Sequence, residues 1–129
     1  MDMLVKLGEG LKVSAEFKGF TIDTDQPVAD GGKNSAPSPF DLFLASLGTC
    51  AGFYVLSFCR ERNIPTGEIR IEADFPWDPK THLVPKVSIR IVLPADFPEK
   101  YRDAVVKAAG RCTVKRHLEH PPQIEVTAV

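Results

Sequence analysis

Three cysteines, Cys50, Cys59 and Cys112, carry the nucleophilic chemistry open to this 129-residue chain. A thiol reacts as its thiolate, so the question for each is what would hold a negative sulfur. Cys50 lies mid-way along a long apolar stretch, Ser38 to Arg62, with Ser46, Leu47, Phe53 and Tyr54 three and four positions away. That setting is apolar with a few hydroxyls, and dry surroundings raise a thiol pKa unless a donor or a cation comes from elsewhere in the fold. Cys112 follows Gly110 and Arg111 and precedes Lys115, Arg116 and His117, a positive local field that favours a thiolate. A mid-helix cysteine and a remote one in a basic turn make sense as a peroxidatic and resolving pair, the first oxidised to a sulfenic acid and the second condensing with it. The competing reading is that both are small buried hydrophobes. Cys59 is nine residues beyond Cys50; at about 100° per residue it points to the opposite side of a helix and cannot pair with it.

The elements that position these residues follow from periodicity. Ser38 to Arg62 reads as a helix apolar on nearly every side, led by Pro37 and Pro39 and stopped by Asn63 and Pro65. At about 1.5 Å per residue it spans about 36 Å, the width of a small domain, so it is expected to be buried all round as a central spine. Met3 to Lys6 and Leu11 to Asp23 alternate apolar with polar residues as a hairpin, with a bend at Gly19. Gln26 to Pro39 reads as a loop feeding the helix, and its Asp30-Gly31-Gly32-Lys33 as a turn; the spacing of a phosphate-binding loop is absent. Gly67 to Phe75 and Lys86 to Leu93 form a second antiparallel pair, joined by PWDPKTHLVP. A helical stripe over Phe97 to Arg111, a short helix over Thr113 to Glu119 and a final strand over Gln123 to Val129 complete the order. Strands, long helix, strands, helices and strand do not alternate strictly, which makes the fold class α+β, antiparallel sheets wrapped around a long central helix.

Length and a 43% hydrophobic content suit one domain over residues 1–129, with a core needing no metal or disulfide staple. Sixteen basic residues balance 17 acidic ones, and no basic run interleaves with aromatics, so neither a nucleic acid nor a membrane surface is an expected partner. The N-terminus has no apolar run of signal-peptide length, which points to the cytoplasm, where an odd number of cysteines reads as redox chemistry or plain burial. Leu42 to Cys59 approaches bilayer length, yet Asp41, Ser46, Thr49, Ser57 and the charges from Arg60 to Arg62 favour a core helix. No cofactor is expected. Cys112, His117 and His120 lack metal-ligand spacing, and the two histidines are expected to face solvent. His82 reads as a surface residue without a role, and Trp77 as a hydrophobic plug over a sheet end.

PSPFDLFLASLGTCAGFYV, followed about sixty residues later by GRCTVKRHLEHPPQIEV, resembles the OsmC/Ohr family of hydroperoxide-reducing proteins. Pro39, Asp41, Leu42, Ala45, Gly48 and Cys50 fit the family's proline-led helix motif. Cys112, Val114 and Leu118 fit its second cysteine and the short helix after it. The resemblance implies an intertwined homodimer with the two long helices at its centre. It also implies that Cys50 attacks the O–O bond of an organic hydroperoxide, that Cys112 resolves the product to a disulfide, and that an external dithiol reduces it. Phe40, Phe43, Leu47, Phe53 and Tyr54 would line the pocket for the alkyl group. In the family's best-characterised branch an arginine from the N-terminal strands supports the thiolate, oriented by a glutamate after the leading proline. Here no arginine precedes Arg60, Phe40 follows Pro39, and Lys33 is the candidate cation. The sequence therefore looks like a divergent member. Its alternative is a dimeric binding protein for a small apolar or thiol-reactive molecule, without peroxidase activity.

Overall fold

The computed structural model describes residues 2–129 as a mixed α+β chain with antiparallel sheets and one long helix. Contacts divide it into two compact units, one ending at Ala45 and the other Ser46–Val129.

In the first unit, β1 (Leu4–Leu7), β2 (Val13–Phe17) and β3 (Phe20–Thr24) form an antiparallel sheet in that order. Phe17 pairs with Phe20, leaving Lys18 and Gly19 as a two-residue turn with φ of 51° and 81°. Two positive φ values are what the twist of a tight hairpin demands, so the bend at Gly19 yields a third strand and not an extension of the second. Beyond β3 the chain folds back on Asp25, only 1% exposed. One of its carboxylate oxygens accepts the Gln26 N–H at 2.8 Å. The other accepts the Ser35 hydroxyl at 2.6 Å and the N–H groups of Ser35 and Lys33 at 3.1 and 3.3 Å. These donors, led by the Ser35 hydroxyl, hold the acid down at about 2. Inside the loop a Cβ on Gly32 would stand 2.0 Å from the Gln26 carbonyl oxygen, so only glycine fits there.

Helix α1 (Pro39–Glu61) begins in the first unit and runs through the second. Its start is a capping box: Ser38 Oγ accepts the Asp41 N–H at 3.1 Å while the Asp41 carboxylate accepts the Ser38 N–H at 3.4 Å. At its end Asn63 adopts φ 55°, the Ile64 N–H returns to the Cys59 carbonyl and the Asn63 N–H to that of Arg60. That pair of bonds is a Schellman motif, with asparagine in the left-handed position and Pro65 just beyond.

In the second unit β4 (Arg70–Asp74) pairs antiparallel with β5 (Ser88–Val92). A 3-10 turn at Glu99–Tyr101 leads into α2 (Arg102–Ala109), and α3 (Thr113–Glu119) follows after a short turn. The core gathers Ala51, Val55 and Cys59 of α1 with Phe97, Val105 and Ala109.

Three expectations fail. The spine is not buried all round: Leu47, Ala51, Val55 and Cys59 form a single buried stripe at i, i+4 spacing, whereas Phe53 is 60% exposed. Among the described residues α1 alone is long and apolar enough to span a bilayer, with mean hydropathy 1.8 and 28% of that window buried. Gln123–Val129 forms no strand and is exposed throughout, because alternation supplies two faces but an edge must lie beside them to pair with. Trp77, 54% exposed, meets the His82 ring edge-on and is more open than a buried plug would be.

Candidate functional site

The second unit brings Cys50 and Cys112 together, across about sixty residues of sequence, by docking the start of α3 beside the middle of α1. Both are free thiols, Cys50 half-buried and Cys112 only 2% exposed. Cys112 is the N-cap of α3, at φ −46° and ψ 123°, and its sulfur accepts the Lys115 N–H at 3.4 Å. A thiol here takes the place usually held by a serine or threonine hydroxyl. Because the cap side chain leans over the first-turn amides, the cap carries Cys112 and those amides to the same spot on α1.

Their electrostatics differ although their chemistry is the same. Burial pushes Cys50 upward, but the Val114 N–H, the Cys112 S–H and the Thr113 N–H all donate toward it, and together they bring its pKa below the ordinary thiol value. Cys112 moves the other way. Burial raises it first; the Lys115 N–H pulls it down, but its hydrogen bond to Cys50 and the charge there raise it further. Of the two, Cys50 is therefore the more readily ionised and Cys112 the donor toward it. This corrects the expectation that the basic flank would favour a thiolate on Cys112: Arg111, Lys115, Arg116 and His117 are exposed, while the sulfur they flank faces the core.

One further contact joins α1 to α3, and a second steadies α3 itself. The Tyr54 hydroxyl, one turn along α1 from Cys50, lies 3.0 Å from Thr113 Oγ1, and His117 Nδ1 lies 2.7 Å from the Thr113 carbonyl oxygen. The Tyr54 ring meets Phe53 edge to face, centroids 5.3 Å apart. On the inner side a cavity of about 300 Å³ is lined by Leu47, Ala51, Ile91, Val106, Cys112 and Leu118, with Lys115 as its charged residue.

Of the residues expected to form a substrate pocket, Leu47 lines this cavity and Phe53 and Tyr54 flank the thiol junction. Phe40 and Phe43 stack on each other in the first unit, centroids 5.8 Å apart. Lys33 is exposed on the loop tied by Asp25. Cys59 is fully buried, its pKa raised by desolvation, as a structural cysteine should be. Sequence reasoning missed the backbone donors of Thr113 and Val114, which carry no side-chain signature, and the pairing of Tyr54 with Thr113. Among the described residues no cluster of histidine, cysteine and carboxylate could hold a metal ion.

The family model described as OsmC-like protein matches residues 32–127. Among solved structures, the chain is 26% identical to a Psychrobacter arcticus 273-4 protein described as an osmotic stress induced and detoxification response protein. The TM-score is 0.75 over 88% of this chain and 85% of that one. An OsmC like protein from Mycoplasma pneumoniae shares the fold at 14% identity and a TM-score of 0.70, over 93% and 87% of the two chains. The organic hydroperoxide resistance protein OhrB of Bacillus subtilis does so at 20% identity and 0.52, over 90% and 88%. No curated protein matches the chain.

Proposed function

The chain belongs to the OsmC-like protein family, and on that premise we propose that it reduces organic hydroperoxides with Cys50 as nucleophile and Cys112 as resolving thiol. The observation that carries this reading is the meeting of two free thiols: Cys112 caps α3 at the turn that the 3.0 Å contact between Tyr54 and Thr113 joins to α1 one turn from Cys50, and the neighbouring thiol and amides draw the Cys50 pKa down. The Cys50 thiolate attacks one oxygen of the O–O bond; the bond breaks, the alkoxide leaves and takes a proton as the alcohol, and Cys50 becomes a sulfenic acid. The Cys112 thiol condenses with it, giving the disulfide and water, and an external dithiol returns both sulfurs to thiols while being oxidised to its own disulfide. A lysine such as Lys33 carries a point charge on a flexible stem without the planar fork of an arginine, and within the second unit the thiolate's support falls to the amides of Thr113 and Val114.

A homodimer in the cytosol completes this proposal. Phe53 and Leu56 leave an apolar face of α1 uncovered, which suits a second copy. Stopped-flow consumption of cumene hydroperoxide by the reduced protein tests the activity. Rapid turnover that disappears in Cys50→Ser is expected, and a Cys50→Ser variant as fast as the parent overturns it.

One observation favours a second reading, a binding protein without turnover: the apolar cavity behind Cys112 has the size of a small ligand site. An apolar molecule retained in native mass spectra, with no peroxide consumption, would select it.

A further inference from the structure

We infer that Tyr54 is a positioning residue for the Cys50–Cys112 disulfide, its hydroxyl bond to Thr113 holding the Cys112 turn beside Cys50 while the sulfurs change state. The inference rests on the proposed function only through the disulfide. Helix α3 buries none of its residues fully; Val114 is half-buried and Leu118 borders the cavity, so packing holds it only partly. Its first turn is tied down by the buried Cys112 cap, by the donors facing Cys50, and by the 3.0 Å contact between the Tyr54 hydroxyl and Thr113 Oγ1. The bond from His117 to the Thr113 carbonyl stays within α3 and ties it to nothing else.

These ties respond differently to chemistry. When Cys50 becomes a sulfenic acid the acceptor of the Thr113 and Val114 amides loses its charge, and the Cys112 S–H is itself the reactant in the next step. The Tyr54–Thr113 bond contains no redox-active atom and persists. It joins the same two segments as the disulfide, four residues along α1 and so about 6 Å along the axis. The edge-to-face contact with Phe53 restricts the tyrosine ring, so its hydroxyl is already aimed. A tie of this kind raises the effective concentration of Cys112 at Cys50 for the step Cys50–SOH plus Cys112–SH giving the disulfide and water.

Losing the bond weighs unequally on the two redox states. In the disulfide form the segments are locked together and its loss is felt in full. In the dithiol form the α3 turn can swing away, so the loss there is capped. The dithiol–disulfide equilibrium of Tyr54→Phe, measured against a glutathione couple with no peroxide present, should therefore move toward the dithiol by about two- to tenfold, the range of one net hydrogen bond. Thr113→Val should shift it equally and the double variant no further, since both remove one bond. Thr113→Ser, which keeps the hydroxyl, should stay at the parent value. Far-UV circular dichroism confirms that each variant is folded.

An unchanged equilibrium in Tyr54→Phe, or a double variant showing the sum of the single effects, overturns the inference, as does a parent in which oxidised glutathione forms no Cys50–Cys112 disulfide. The predicted shifts in a protein that fails to consume hydroperoxide would uphold the inference and discard the peroxidase reading instead.

Discussion

If backbone amides hold the Cys50 thiolate, removing one of them without disturbing the helix should slow every reaction of that sulfur. Thr113 is the first residue of α3, a position where proline is preferred because its missing N–H has no helical partner. The preceding Cys112 has ψ 123°, within the extended range that a following proline demands. Thr113→Pro therefore deletes one of the donors that lower Cys50 and leaves α3 intact. It also deletes the hydroxyl bonded to Tyr54, so the proper reference is Thr113→Val, which loses that bond and keeps the amide.

A hydrogen bond to a charged acceptor contributes about 1.5 kcal/mol at the low end, the end suited to the last-ranked of the three donors, and this corresponds to about tenfold less thiolate below the thiol's midpoint. The remaining thiolate is more basic and more nucleophilic. With a Brønsted slope of about 0.45 it recovers about threefold. The net expectation is Cys50 alkylation by iodoacetamide about three- to fourfold slower in Thr113→Pro than in Thr113→Val near neutral pH, with the pH midpoint displaced upward. Peptide mapping by mass spectrometry assigns the label to Cys50. Equal rates across the pH range would refute the claim that the Thr113 amide supports the thiolate.

Val105 is fully buried in the second unit, so Val105→Ala should cost about 2.5 kcal/mol for two lost methyl groups and the cavity left behind, read as a lower urea midpoint at unchanged m. Asp25 has a folded pKa near 2 against 3.8 when free, so the stability it contributes is present above about pH 4 and lost as pH falls through 2. Asp25→Asn should be less stable than the parent at pH 7 and should lack that acid-dependent loss, with faster amide exchange at Ser35; identical pH profiles would refute the tie. Phe53→Glu places a charge on the exposed face of α1 and should shift sedimentation toward the monomer, whereas an unshifted dimer would move the interface elsewhere.

The sequence was most readable where structure is set by neighbours. Helix α1 starts and stops within a residue of where its signals lie, because Ser38, Asp41, Asn63 and Pro65 act through backbone groups three to five positions away. The turn at Lys18 and Gly19 and the separation of α2 from α3 near Gly110 are equally local. The tail was misread for the opposite reason: Ile124, Val126 and Ala128 alternate as a strand should, but a ladder needs an edge, and an edge is a property of a distant segment.

The meeting of Cys50 with Cys112 is as distant as any strand edge and was legible only through the family resemblance, while the charge distribution across it was not legible at all. Flanking lysines and arginines are conspicuous in a sequence, yet charges in solvent lose most of their effect on a sulfur that points into the core. The donors that decide the matter are peptide N–H groups, which every non-proline residue has and which act only where the chain aims them. An N-cap aims three at once. With a thiol in that position, the cap residue is buried, harder to ionise and tethered by the Lys115 amide, while the amides of Thr113 and Val114 face the sulfur across the junction. The division of labour between nucleophile and proton-bearing partner thus follows from which cysteine caps a helix and which faces the cap, and exchanging the flanking basic residues for neutral ones should leave that division as it is.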